Sequence, residues 1–125
     1  MTFAENLYAY LLSRADIVAL VAARIYPMKL PQRPTLPALT FQRVANAPEY
    51  SHDPGAAHMP LVQITAWADT YKEAEALSTL VSLAVDAWGS VMVGAAFVSN
   101  IVDLSEPATK VYQVAVDAAF EGVSL

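Results

Sequence analysis

His52, Asp53 and His58 bring the chain's two histidines and a carboxylate into one short stretch. An imidazole next to an acid can move a proton or ligate zinc. The spacing is not the His-Glu-x-x-His pattern that puts two imidazoles on one helical face, and the surrounding segment, ANAPEYSHDPGAAHMP (45–60), is built from prolines, a glycine and small polar residues. A solvated polar loop is therefore the better reading of the trio. Gly89-Ser-Val-Met-Val-Gly94 has the glycine spacing of a phosphate loop, but Ala95-Ala96 follows where that loop requires Lys and then Ser or Thr. No Gly-x-Ser-x-Gly elbow occurs, and the serines have only the two loop histidines as possible bases. Glu73 and Glu75, two apart, point to different parts of a helix surface and suit capping and solvation. With no cysteine there is no thiolate nucleophile, disulfide or Cys-ligated zinc. The residues predict no catalytic group, no cofactor and no bound metal.

The elements that would carry these residues read clearly in places. Thr2-x-x-Glu5 is a capping box, and Phe3, Leu7, Tyr10 and Leu11 recur at helical spacing, which predicts a helix over about 3–13. Asp16 is the expected cap of a second helical run ending near Ala23. From Ala38 the alternation of Leu39 and Phe41 with Thr40 and Gln42 predicts a strand to about Val44; after the 45–60 loop a second strand runs from Leu61 to about Ala68. Thr70-x-x-Glu73 is another capping box. Behind it Ala74, Leu77, Val81, Ala84 and Trp88 form an apolar stripe opposite Glu75, Ser78, Thr79, Ser82 and Asp86, so a helix is expected over about 71–88 with Gly89 as its stop. Residues 96–104 carry apolar groups on both parities and should form a strand buried on both faces or at an interface, with Gly94 as a bend before it. The last strand, Val111 to Glu121, alternates Tyr112, Val114, Val116, Ala118 and Phe120 with Gln113, Asp117 and Glu121. The expectation is a single α+β domain over 1–125. It has about four strands in a mainly antiparallel or mixed sheet, helices on one face, and the order α-α-β-β-α-β-β.

Composition adds a second constraint. Charged residues make up 15% of the chain, against about 25% in ordinary soluble domains. The apolar excess is read as subunit contact area; the alternative is an alanine-rich composition, with 23 alanines, that raises the apolar count without making sticky patches. No stretch suits a membrane span, since the uncharged run from Ala87 to Val102 is interrupted by Gly89, Ser90, Gly94, Ser99 and Asn100. Glu5 stands where a signal peptide would be basic, so an intracellular, soluble product is expected.

Charge is unevenly distributed. Residues 1–23 carry one base and two acids, for −1; residues 24–48 carry Arg24, Lys29, Arg33 and Arg43 with no acid, for +4; the remainder carries two lysines and ten acids, for −8, and the three sum to −5. Pro27, Pro31, Pro34 and Pro37 run through the basic segment and predict a stiff extended connector. Four bases among prolines, in a domain of pI near 4.7, fall short of a duplex-binding face. Such a layout can make two faces of one molecule complementary, which favours head-to-tail association of copies; on charge alone the better reading is that these bases are separately solvated or pair with acids of the same subunit.

The order of these segments resembles the tail-terminator, or tail-completion, family of long-tailed bacteriophages, prophages and gene transfer agents. The resemblance lies in the amino-terminal helix with DIVALVAARIYP and in the proline-bearing lead LPQRPTLPALTFQRV. It continues through the passage VQITAWADTYKEAEALSTLV and the closing turn and strand VDLSEPATKVYQVAVDAAFEG. It implies a structural virion protein that forms a ring, commonly a hexamer, which caps a finished tail tube and presents the surface to which a head-side connector protein docks. The tail tube protein would lie on one side and the genome would pass through without sequence-specific binding. No membrane would be involved, and the site of assembly would be the host bacterial cytoplasm. On that reading Lys29, Arg33 and Arg43 are candidates for a subunit contact, and His52, Asp53 and His58 for a partner-facing loop. A head-completion or connector protein of the same assembly is the alternative, and a small α+β enzyme or ligand-binding domain using the histidine loop is a more remote one.

Overall fold

The computed structural model describes residues 2–48, 58–92, 94–106 and 111–123. Helix α1 spans Phe3–Ser13 because Thr2 caps it, its hydroxyl accepting the Glu5 N–H at 3.2 Å, while Phe3, Leu7, Tyr10 and Leu11 turn to the core. Helix α2 covers Ala15–Val21. Its cap is Arg14, not Asp16. The Asp16 carboxylate lies one residue inside, where it accepts the Ile17 N–H at 2.9 Å and an Arg14 N–H at 3.3 Å. Three strands follow: β1 (Ile25–Pro27), β2 (Ala38–Pro48) and β3 (His58–Ala68). Helix α3 (Tyr71–Asp86) begins with the Thr70 hydroxyl accepting the Glu73 N–H at 3.2 Å, as its sequence predicts. It ends three residues before Gly89, which lies inside a one-turn helix, α4 (Trp88–Val91), and does not stop α3. Strands β4 (Ala95–Glu106) and β5 (Val111–Glu121) close the chain.

The five strands form one mixed sheet in the order β1-β2-β3-β5-β4. Only β1 and β2 pair in parallel; β2 with β3, β3 with β5 and β5 with β4 are antiparallel. The fold is thus α+β as expected, with one short strand more. That strand escapes periodicity because three residues ending in proline contain no repeat to detect. Strands β2 and β3 extend further than their apolar alternation, to Pro48 and back to His58, where Pro48 and His58 are backbone partners. Cross-strand pairing holds these ends, although their composition reads as loop.

All four helices lie on one side of the sheet. The sheet residues in the main core cluster are Ile25, Leu39 and Phe41, Val62, Ile64 and Ala66, and Val116, Ala118 and Phe120, one parity from each strand. Against them pack Leu7, Leu11, Leu77, Val81 and an aromatic knot. The ring of Trp88 lies 4.9 Å from Phe120, 5.1 Å from Tyr10 and 6.0 Å from Phe3, each edge-on. The opposite parity forms a polar-floored face. There Gln42 donates to Gln63 at 3.3 Å, Gln63 donates to Asp117 at 3.2 Å, and the Trp67 indole donates to Thr40 at 2.8 Å. This row crosses β2, β3 and β5 and satisfies polar groups that a one-faced core leaves behind.

Gly94 sets the entry to β4. Its φ is +96°, and a β-carbon there would collide with the carbonyl oxygen of Glu121. No other residue type fits such an approach of two backbones. Gly94 therefore serves chain packing, and Gly89 lies inside α4, which disposes of the phosphate-loop spacing.

Candidate functional site

The helix-bearing side of the sheet is covered at its centre and bare at both edges. At one edge β1 pairs only with Leu39, Thr40 and Phe41, so β2 runs on beyond it with no described neighbour on its outer side. At the other edge all twelve residues of β4 lie outermost. A bare edge offers free N–H and C=O groups to another chain.

The basic residues collect at the first edge. Lys29 lies two residues past the end of β1, Arg33 lies in the bend after it, and Arg43 stands on β2 where β1 has ended; all three are exposed. The segment that holds them is not a uniform extended rod. Its first residues are the strand β1, then Met28 and Arg33 take left-handed φ values of 70° and 51°, and the Leu36–Pro37 bond is cis. Left-handed geometry is uncommon for non-glycine residues, and it runs against the extended bias that Pro34 places on Arg33. Arg24, the fourth base, is a brace. Its guanidinium donates to the Pro37 carbonyl at 3.0 Å and the Leu20 carbonyl at 3.2 Å, tying the end of α2 to the start of β2. Among the described residues the ion pair found is Arg14 with Asp16, so Lys29, Arg33 and Arg43 have no described acid against them.

Beside these bases the surface is grooved. A cavity of about 600 Å³ runs between Ala4 and Tyr8 of α1 and Tyr26 and Pro27 of β1, floored by Phe41. A second, of about 270 Å³, lies between Phe3, Leu7, Met28 and Val62, with Arg43 on its lip. Both are mainly apolar, with Glu5 in the wall of the first and Gln42 and Arg43 in that of the second.

The far edge is different in kind. Phe97, Ile101 and Leu104 of β4 are exposed by 45%, 52% and 36%. The expectation that this strand is buried on both faces fails within the single chain: Ala96 and Val98 pack against the core, whereas Phe97, Ile101 and Leu104 stay exposed. Near its end Asp103 accepts a hydrogen bond from the Tyr71 hydroxyl at 2.8 Å, and the Tyr71 ring meets Tyr112 edge-on at 6.3 Å. That bond to a carboxylate pushes the Tyr71 phenol up to about 12. In the interior, burial raises the Tyr10 phenol, whose hydroxyl donates to the Ala84 carbonyl at 2.5 Å.

The histidine loop does not take part in this account. His52 and Asp53 lie outside the described residues, and His58 is described only as the first residue of β3. Among the described residues no three His, Cys, Asp or Glu side chains gather to hold a metal, and no helix is long and apolar enough to cross a membrane. Sequence reasoning found the bases but not their edge, since Tyr26, Val44 and the end of β1 acquire meaning only from strand order.

Comparison with known proteins places this arrangement. The family described as "Tail completion protein gp17" matches residues 5–120. No curated protein matches the chain. A solved structure titled "Virion of native gene transfer agent (GTA) particle" contains a chain of the same fold, with a TM-score of 0.72 and 18% identity. The alignment covers 91% of this chain and 89% of that one.

Proposed function

The chain belongs to the tail completion protein gp17 family, and from that premise we propose that it is the ring-forming terminator of a phage-type tail. It is a structural tail protein, and its family points away from enzymatic activity. The ring, a hexamer on the family resemblance, caps the finished tube at its head-proximal end. It contacts the tail tube protein on one side and offers the head-side connector a surface on the other, assembling in the host cytoplasm. The observation that carries this reading is the extent of the family match, which takes in both edges of the sheet and all of the core except Phe3 and Val123. Two features of the molecule support it. A twelve-residue strand with exposed apolar side chains is unsatisfied in one chain, and three exposed bases face no described acid. Exposed apolar surface rimmed by charge is characteristic of subunit contacts.

Particles made without this protein test the proposal by electron microscopy. A terminator leaves overlong tubes without heads. Tails of normal length beside leaking heads overturn it in favour of the head-completion alternative. The 45–60 segment, with His52, Asp53 and His58, is proposed as partner-facing: deletion of residues 50–58 should leave rings intact and abolish joining of tails to heads in reconstitution.

A further inference from the structure

The two bare edges of the sheet are complementary in direction, side and charge. Strand β2 runs opposite to β3, β3 opposite to β5, and β5 opposite to β4, so β4 is antiparallel to β2 across the sheet. A second copy set beside the first in the same orientation therefore brings its β2 antiparallel to the first copy's β4. This is the direction that a close-paired ladder favours. Strand β4 contains no proline, lysine or arginine to blunt its free edge; a bulge between Val98 and Asn100 interrupts it, so the longer regular stretch open to pairing runs from Asn100 to Glu106. The receiving edge is the part of β2 that β1 leaves uncovered, beginning at Gln42 and passing through Arg43 to Val44, which is 53% exposed.

Side and charge agree with direction. Arg43 pairs with Val62, and Asp103 pairs with Val114, both core-facing positions, so the guanidinium and the carboxylate stand on the helix-bearing side of the sheet. A sheet continued from copy to copy would keep them on one side, with Lys29 and Arg33 near the same junction. We propose that the outer edge of β4 in one subunit adds to the uncovered edge of β2 in the next. The sheet then continues through successive copies, with Asp103 facing the basic lip formed by Lys29, Arg33 and Arg43. The contact is heterologous, so it propagates in one direction and closes when its rotation permits. An isologous β4–β4 pairing would leave the basic lip unused and set two acidic strands side by side. This inference rests on the ring reading and names the surface that makes the ring.

The absence of cysteine makes the test direct. Val44→Cys is combined in turn with Phe97→Cys, Ile101→Cys and Leu104→Cys, all exposed positions at which the fold should be insensitive, and the chains are treated with a short bifunctional thiol linker. The two edges of one subunit are separated by several strand spacings of about 4.8 Å, too far for such a linker to join within a chain. The expected result is a ladder of covalent species at multiples of the 13.4 kDa chain, from at least one pair, while the three single β4 cysteine chains stay uncoupled. Dimers from a single Ile101→Cys chain overturn the proposal in favour of isologous pairing. A closed oligomer by native mass measurement in which no pair couples overturns the inference and leaves the ring standing. A chain that stays monomeric at high concentration overturns both.

Discussion

Trp88 and Ile101 are both large apolar side chains in the second half of the molecule, yet one is 2% exposed and the other 52%. Trp88 has Phe3, Tyr10 and Phe120 around it, contributed by the first helix and the last strand, so the chain satisfies it alone. Ile101 faces the same side of the sheet as Val116 but lies outside the core cluster. The contrast separates what the chain buries for its own stability from what it leaves exposed, the surface that the proposed sheet addition would cover. Substitutions at the two places should therefore fail in different ways.

The largest effect is expected at the knot. Trp88→Ala should cost about 3–5 kcal/mol, a large share of the roughly 5–15 kcal/mol that holds a domain together. Denaturant titration should record an early midpoint, with assembly lost in proportion to unfolding. At the edge the order reverses. Ile101→Thr combined with Phe97→Thr should leave the unfolding midpoint within about 0.5 kcal/mol of the parent, while sedimentation shows the oligomer gone. If stability and assembly fell together at both places, the division between them would be false.

The smallest effect lies where the two regions meet. Tyr71 opens α3 and its hydroxyl holds Asp103 of β4. A phenol whose folded pKa is raised above the usual value near 10 contributes stability that is whole below pH 10 and fades as pH climbs toward about 12. The difference in ultraviolet titration between the parent and Tyr71→Phe should isolate one phenol ionising near 12, and Asp103→Asn should bring it back toward 10. A phenol that ionises in the ordinary range in the parent would show that the link between helix and edge is absent in solution.

Local signals in the sequence determined those parts of the protein that depend on neighbours three or four residues away. Both threonine caps, the stripe of α3 and the extent of β5 correspond to what forms, because hydroxyl caps and side-chain periodicity are set within a turn or a pleat, although burial in β5 does not alternate: Gln113 and Ala115 are buried and Tyr112 is exposed. The +4 to −8 division of charge was equally plain, since it needs only counting. Ser78 already marks the boundary: its spacing assigns it to the polar face of α3, but it is buried, with its hydroxyl bonded to the Glu75 carbonyl at 2.7 Å. Strand order lay wholly beyond local pattern. That β1 is too short to cover β2, that β4 comes last in the sheet and not between neighbours, and that Arg43 and Asp103 share a side all follow from pairings between residues far apart in the chain. Only the folded sheet could decide which apolar strand would be left uncovered, because edge position is a property of the whole arrangement and not of the strand's own residues.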